Sequence, residues 1–147
     1  KVIAEMRAKV DSASARVAKR QATPSVFVYD SGEDRPFSAG RLAMPNALIQ
    51  AAGGRNILDD VDASWTRVNW ETVIARNPQA IIIIDYGKVT AQQKIAFLRN
   101  HPALGKLDGV KNQRFIVLPY DSATPGIANA DAVVALARGL HPQAFAR

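Results

Sequence analysis

The chain has 147 residues, 48% of them hydrophobic, which is enough for one domain with a substantial core and too little for two full domains. It contains no cysteine, so disulfides, thiolate metal sites and a cysteine nucleophile are excluded. The net charge is +6, and residues 1–21 carry six basic side chains against two acidic ones. Aromatic residues are not interleaved with these basic residues and no nucleic-acid motif follows, so we interpret them as a solvated helix face and predict no nucleic-acid partner.

The first 21 residues are predicted to form one long helix. The apolar residues are spaced by four, four, three and four positions, at Val2, Met6, Val10, Ala13 and Val17. The chain starts at Lys1 inside this pattern, without an initiating Met and without a signal peptide. We therefore expect the chain to be a processed or truncated piece of a longer protein.

A strand at Ser25–Tyr29 is predicted next, and it runs into a polar loop at residues 33–40. A loop of this length between a strand and a helix usually carries function. The following elements are predicted to be a helix at 45–52, a short strand at 56–58 and a loop at 59–66 that carries Trp65.

The centre of the fold is predicted to be the strand Ala80–Ile84. It is apolar on both faces of the pleat, which is typical of a parallel strand covered by helices on both sides. A short helix at 70–76 precedes it and stops at Asn77-Pro78, because the residue before a proline avoids helical geometry.

The remaining elements are predicted to be a helix at 91–100 with Thr90 as its N-cap, a turn or short helix at 103–110, a strand at 114–118 and a helix at 127–140. Strands and helices alternate in this order. The pattern predicts an α/β fold, a three-layer sandwich with a mainly parallel central sheet, preceded by the long first helix.

Three predicted strands end in similar polar clusters. The clusters are Tyr29-Asp30-Ser31-Gly32, Asp85-Tyr86-Gly87 and Tyr120-Asp121-Ser122. The carboxyl ends of parallel strands meet at one edge of a sheet, where open α/β sheets bind their ligands. We therefore expect a rim of phenols, carboxylates and hydroxyls that forms a ligand site.

We assign no catalytic residue and no metal ligand from the sequence. His101 and His141 each precede a proline at the end of a predicted helix, where a capping role is expected. Two alternatives stay open. The Tyr and Asp residues of the rim are hard oxygen donors that could hold ferric iron or haem directly, and a small α/β enzyme would need a catalytic group that the sequence does not display.

Aromatic and cationic residues near the rim are candidate ligand contacts. Trp65 lies in a polar loop and is predicted to be a stacking platform, whereas Trp70 is predicted to belong to the core. Arg35 and Arg41 are candidates for meeting an anionic ligand, and a solvated surface position is the alternative for both.

Several groups of residues, taken in order, carry a family resemblance. They are Leu48-Ile49-x-x-Ala52-Gly53-Gly54-x-Asn56-Ile57, then Trp65-x-x-Val68-x-x-Glu71-x-Val73-x-Ala75-x-Asn77-Pro78-x-Ala80-Ile81, Pro102-Ala103-Leu104, Val110-Lys111-Asn112-x-Arg114, Pro125-Gly126 and Leu140-His141-Pro142-x-x-Phe145. With this order and spacing the chain resembles the second lobe of the periplasmic substrate-binding proteins of iron-siderophore, haem and cobalamin ABC importers, the class in which a long helix joins two rigid lobes.

The resemblance implies that residues 1–22 are the carboxyl part of the interlobe helix and that residues 23–147 form the C-terminal Rossmann-like lobe, with the N-terminal lobe absent from this chain. It also implies that Trp65 and Tyr120 line the ligand cleft, and that Glu71 pairs with an arginine of the permease.

One departure from the family concerns the residues after Pro125-Gly126. Members often have Arg-Asn there, whereas this chain has Ile127, Ala128 and Asn129, which removes a cation from the cleft. Arg35 is a candidate substitute for that cation.

We therefore predict the substrate-binding component of an ABC importer, in the periplasm or lipid-anchored outside the cytoplasmic membrane, with no catalysis and no cofactor. The predicted ligand contacts are Trp65, Tyr120, Ser31, Arg35, Phe37 and Tyr86. The expected partners are a ferric-siderophore or related chelate and the ABC permease, which docks on the side of Glu71. An isolated lobe exposes an aromatic rim, so we also expect it to self-associate.

Overall fold

The computed structural model describes residues 4–5, 8–9, 11–12, 23–120 and 128–142. The strands are Ser25–Tyr29 (β1), Phe37–Ala39 (β2), Arg55–Asn56 (β3), Trp65–Arg67 (β4), Ala80–Asp85 (β5) and Phe115–Pro119 (β6). The helices after β1 are Met44–Ala51 (α1), Trp70–Arg76 (α2), Ala91–Asn100 (α3), Asp108–Lys111 (α4) and Ala128–Leu140 (α5), with a 3₁₀ turn at Leu104–Lys106. Residues 4–5, 8–9 and 11–12 are helical, and the rest of the helix predicted at 1–21 lies outside the described residues.

Four strands form a parallel sheet in the order β3-β1-β5-β6. β5 pairs with a strand on each side, Phe27 lying opposite Ile81 and Ile83 opposite Val117. The first five residues of β5 are fully buried. The α/β class, the mainly parallel sheet and the central position of the Ile run are therefore confirmed.

Helices cover both faces of this sheet. Neighbouring side chains of a strand point to opposite sides, so the apolar strands present hydrophobic side chains on both faces. Val28 and Ile82 pack on one face with buried residues of α1 and α5. Phe27 and Ile83 pack on the other face with buried residues of α2, α3, α4 and the 3₁₀ turn. The three layers place every carboxyl end of the parallel strands on a common edge.

A second, two-stranded sheet lies where we predicted only loops. β2 and β4 pair antiparallel, with Phe37 opposite Arg67 and Ala39 opposite Trp65. The loop predictions for residues 33–40 and 59–66 were therefore wrong at these positions. Strands of three residues are too short to show a period in the sequence. The polar Ser38 is nevertheless buried, and its hydroxyl donates to the carbonyl of Val28 at 2.6 Å.

Local signals at the helix ends account for the remaining boundaries. Thr90 forms a capping box with Gln93 at the start of α3, as predicted. At its end, His101 Nδ1 accepts hydrogen bonds from the backbone N–H groups of Ala103 and Leu104. Asn77 closes α2 with a left-handed conformation, φ 42°.

Candidate functional site

The carboxyl edge of the parallel sheet brings together side chains that follow three different strands. Tyr86, after β5, donates from its phenol to Asp30 Oδ2 at 2.6 Å. Ser31, after β1, donates to the same carboxylate oxygen at 2.9 Å. Tyr120, after β6, places its ring centroid 5.1 Å from that of Tyr86. The expected convergence of the three strand ends is therefore present, while Asp121 and Ser122 lie outside the described residues.

The two tyrosine rings are open to solvent above a buried carboxylate. Tyr86 is 40% exposed and Tyr120 is 53% exposed, whereas Asp30 is only 4% exposed. The pKa of the Tyr86 phenol is raised, first by its hydrogen bond to Asp30 and then by partial burial. The Tyr86 phenol is thus held neutral as a donor to Asp30. The exposed parts of the Tyr86 and Tyr120 rings remain available to a ligand.

A buried lysine that the sequence analysis did not select lies beneath this pair. Lys94 of α3 is 4% exposed, and its ammonium donates to the carbonyls of Asp30 and Ile84, each at 2.6 Å. Its Nζ also lies 4.7 Å from the centroid of the Tyr86 ring. Burial lowers the pKa of Lys94, and the carboxylates of Asp30 and Asp85 oppose that shift.

The sequence does contain a signal for this lysine. Positions 91, 94, 95 and 98 form the apolar stripe of α3, and Lys94 is the charged residue within that stripe. A charge on the buried face of a helix that follows β5 indicates a buried partner near the carboxyl edge of the sheet.

Tyr29 does not belong to the rim, which corrects our prediction that it was a candidate oxygen donor. It is 1% exposed, and its ring packs 5.4 Å from that of Trp70. Its phenol donates to the carbonyl of Gly32 at 2.9 Å, and burial raises its pKa. The strand alternation that turns Asp30 toward the edge turns Tyr29 into the core. Within the described residues, no cluster of three acidic or histidine side chains could hold a metal ion.

A second aromatic group lies on the two-stranded sheet. The rings of Phe37 and Trp65 stack with centroids 5.9 Å apart and planes 21° from parallel. The guanidinium of Arg67 lies 5.4 Å from the centroid of Phe37. Trp65 is half-buried and packs against the core beside α1, so only part of its ring is available as the predicted platform.

The backbone joins this aromatic group to the rim. The amide of Phe37 donates to the carbonyl of Ser31 at 2.8 Å, and the amide of Asp30 donates to the carbonyl of Phe37 at 3.0 Å. Ser31, Phe37, Trp65, Tyr86 and Tyr120 therefore belong to one connected region. Trp70, by contrast, is half-buried, packs against the core and donates from Nε1 to the carbonyl of Glu33 at 2.7 Å.

The two candidate arginines differ in their surroundings. Arg35 is exposed, and its carbonyl accepts a hydrogen bond from Arg67 Nη1 at 3.0 Å. Arg41 pairs with Asp62, its Nε donating to Oδ1 at 2.7 Å. The charge of Arg41 is therefore already compensated within the chain, which makes Arg35 the better candidate for an anionic group.

Glu71 lies in the first turn of α2 and is exposed. Its carboxylate is favourably placed near the positive end of that helix. In the part of the chain that the structure describes, it enters no ion pair, so its charge stays available to a partner.

A pocket of about 270 Å³ lies away from the rim, lined by Arg55, Ile57, Asp59, Asp60 and Arg76. The guanidinium of Arg76 donates to both carboxylate oxygens of Asp60, at 2.6 and 3.0 Å, and to the carbonyl of Ile57 at 2.5 Å. The two arginines and two aspartates that line the pocket thus balance each other in charge.

Among the described residues, no helix combines the length and the apolar character needed to cross a membrane.

Comparison with known proteins places these features in a family. A family model described as periplasmic binding protein matches residues 1–121. A solved periplasmic binding protein from Veillonella parvula is 32% identical with a TM-score of 0.84, over 96% of this chain and 49% of that chain. A second structure, from Staphylococcus epidermidis and described as a possible iron-binding (periplasmic solute-binding) protein, is 25% identical with a TM-score of 0.80, over 95% of this chain and 54% of that chain.

Curated relatives match a shorter stretch. The vitamin B12-binding protein of Salmonella paratyphi A is 38% identical over 47 residues, which are 32% of this chain and 18% of that protein. The chain as a whole spans about half the length of these two solved proteins, at 49% and 54%.

Proposed function

Because the chain belongs to the periplasmic binding protein family, we propose that it is the C-terminal lobe of the substrate-binding component of an ABC importer. In this proposal residues 1–22 are the carboxyl part of the interlobe helix and residues 23–147 are the lobe. The lobe supplies one wall of a cleft that holds an iron-siderophore-type chelate, and the loaded protein delivers that chelate to the permease. In this proposal the protein is located in the periplasm, or is held at the outer face of the cytoplasmic membrane by a lipid anchor.

The observation that carries this proposal is the exposed Tyr86–Tyr120 pair at the carboxyl edge of the parallel sheet. Two neighbouring rings on a rigid support offer apolar faces to a flat or macrocyclic organic ligand. Binding sites of this kind are mostly apolar, with a few polar groups that orient the ligand. Ser31 is a polar member of the connected region, and Arg35, whose backbone carbonyl accepts a hydrogen bond from Arg67, is the cationic candidate.

The same geometry favours a chelate over direct ligation of iron or haem by the rim. Tyr86 uses its phenol on Asp30, and its raised pKa disfavours the phenolate that ferric iron prefers. Tyr29 is committed to the core. A metal that arrives already wrapped in an organic ligand needs no protein oxygen, only a complementary surface.

The Phe37–Trp65 stack extends the aromatic surface away from the strand ends. Arg67 lies over Phe37 on one side, which leaves the stack cationic at its border. The positive charges of Arg67 and Arg35 together suit the anionic groups at the periphery of a ferric chelate. The buried Asp30 and the exposed Asp85 limit how anionic that ligand can be.

Delivery to the permease is proposed to use Glu71. An exposed ion pair contributes only about 0–1 kcal/mol, so Glu71 alone would not hold the complex. One such pair on each lobe still fixes the orientation in which the protein docks.

A cobalamin is the second candidate ligand, and the 47-residue similarity to the vitamin B12-binding protein favours it. It shares with a ferric chelate a metal enclosed in an organic macrocycle or chelator. The same aromatic surface suits both.

The test is calorimetric titration of the chain with ferric catecholate, hydroxamate and citrate chelates, haem and cobalamin. One wall of a cleft buries little ligand, so weak but saturable binding is expected for one ligand class. Tyr120→Ala and Trp65→Ala should each weaken it by up to about tenfold, because each removes an aromatic contact of about 0.5–1.5 kcal/mol. Val89→Ala, which truncates an exposed apolar residue in the loop after Tyr86, is the matched control and should change nothing. A folded chain that binds none of these ligands would remove the support for the proposal.

A further inference from the structure

Lys94 is a charged side chain that the structure buries under the proposed ligand surface, next to the buried Asp30. An ammonium has three N–H donors and no acceptor. Two of them are used by the carbonyls of Asp30 and Ile84, each at 2.6 Å. The third side of the ammonium meets the face of the Tyr86 ring, whose centroid is 4.7 Å away. Each donor direction therefore has an acceptor or a π face.

The two carbonyls belong to the point where the strands β1 and β5 separate. The register of the pair ends with Tyr29 opposite Ile83, and the next residues on each strand are Asp30 and Ile84. Both of these residues are buried, so their carbonyls need donors that water cannot supply. Lys94 supplies both from α3 and thereby ties the two strand ends to the helix.

The ring of Tyr86 is consequently held from three directions. Its hydroxyl is bound to Asp30 at 2.6 Å, one face lies against the Lys94 ammonium, and Tyr120 packs beside it with centroids 5.1 Å apart. The ring nevertheless stays 40% exposed. An exposed tyrosine without such contacts would sample several rotamers and would lose that freedom when a ligand bound.

We propose that Lys94 is a positioning residue of the ligand surface, whose ammonium fixes the Tyr86 ring in the orientation that meets the ligand. The expected effect of Lys94 on ligand binding rests on the proposed function. Its expected effect on the orientation of the Tyr86 ring rests on the contacts alone. The ammonium itself does not touch the ligand, since all its donors are occupied and it lies beneath the ring. Its charge is balanced locally by the carboxylates of Asp30 and Asp85.

The first test compares Lys94→Met with Lys88→Met. Met keeps the length and the apolar stem of Lys94 and removes the ammonium. Lys88 is an exposed lysine in the neighbouring loop, so its replacement removes the same charge without touching the ring. Nitration of Tyr86 by tetranitromethane, followed by peptide mass mapping, should change in rate several-fold in Lys94→Met, because the ring loses both its fixed orientation and the neighbouring cation, and should be unchanged in Lys88→Met.

Ligand affinity is measured on the same two variants with whichever chelate the unmodified chain binds. Loss of one immobilising contact on a side chain of this kind corresponds to a decrease of roughly tenfold. We expect that decrease for Lys94→Met and none for Lys88→Met. If the unmodified chain binds no chelate, the proposed function fails, while the nitration rates still decide whether Lys94 positions the ring. A folded Lys94→Met protein with unaltered nitration and unaltered affinity would overturn the inference.

A second measurement needs no substitution of Lys94, in case Lys94→Met does not fold. An ammonium and its neighbouring methylene held over an aromatic face carry an upfield ring-current shift in their NMR resonances. We expect that shift for the Lys94 ε-methylene in the unmodified chain, and we expect its loss in Tyr86→Leu. An unshifted ε-methylene in the unmodified chain would show that the ring is not held by the ammonium.

Discussion

Replacing Tyr86 by Phe removes one hydrogen bond and leaves the ring, so it isolates the contribution of the bond to Asp30. The carboxylate of Asp30 is 4% exposed and accepts only from Tyr86 and Ser31 among side chains of the described residues. A hydrogen bond to a charged group contributes about 1.5–3 kcal/mol when it is buried. Tyr86 is 40% exposed, and solvent screening reduces the expected loss to about 1 kcal/mol.

The pH dependence gives this prediction its sharpest form. The pKa of Tyr86 is raised in the folded chain above the ordinary tyrosine value of about 10. A raised pKa contributes stability that is fully present below pH 10 and is lost as the pH rises through the folded value. The difference between the unmodified chain and Tyr86→Phe should therefore be complete at pH 7 and should shrink above pH 10. Tyr29, whose pKa is also raised, is present in both proteins and cancels in the comparison.

Urea unfolding at pH 7 and at a pH above 10, followed by circular dichroism, measures the loss of stability in Tyr86→Phe and its dependence on pH. Tyr120→Phe is the control, because its ring is 53% exposed and the change should alter the free energy of unfolding by less than about 0.5 kcal/mol. Equal stability of the unmodified chain and Tyr86→Phe at pH 7 would refute the reasoning. So would a difference that stayed constant as the pH rose.

Three further outcomes are expected. Val73→Ala, at a fully buried position of α2, should lower the free energy of unfolding by about 2 kcal/mol in urea titrations. Ile74→Ala, at a 38% exposed position of the same helix, should lower it by less than about 0.5 kcal/mol. Similar losses for both variants would contradict the orientation of α2. Glu71→Gln should leave chelate affinity unchanged and reduce permease-dependent uptake by the assembled importer, with Glu33→Gln as the matched control, and full uptake with Glu71→Gln would exclude a docking role. The exposed aromatic rim should make the chain self-associate at high concentration, with less association in Tyr120→Ser, and a monomeric mass by light scattering at high concentration would contradict this.

The parts of the fold that the sequence predicted well have strong, redundant signals. The run from Ile81 to Ile84 is apolar on both faces, and only a strand between two layers can bury it. Thr90 and Gln93 define the start of α3 by capping chemistry that acts within four residues. The convergence of Asp30, Tyr86 and Tyr120 followed from topology alone.

The errors arise where a residue's role depends on which way its side chain points. Tyr29 ends β1 and Asp30 follows it directly, so strand alternation predicts that their side chains point to opposite sides, but the sequence does not say which of the two enters the core. Lys94 was overlooked because a lysine on a helix is ordinarily a surface residue. β2 and β4 were overlooked because the contact that makes them a sheet, Ala39 opposite Trp65, joins segments distant in the sequence.

The pairing of β5 on both sides has a consequence for how quickly different parts of the proposed ligand surface move. Every residue from Ala80 to Ile84 is fully buried, and Ile81, Ile82 and Ile83 each lie between two parallel neighbours. The amide hydrogens of these three residues should therefore exchange with solvent only when the whole domain opens. Tyr86 follows β5 directly in the chain, and its phenol is bound to Asp30 at the end of the neighbouring strand β1. Among the described strands, β4 pairs only with the three residues of β2, and such a short ribbon opens by local fluctuation. On the proposed ligand surface, Tyr86 is therefore the fixed contact and Trp65 the adaptable one.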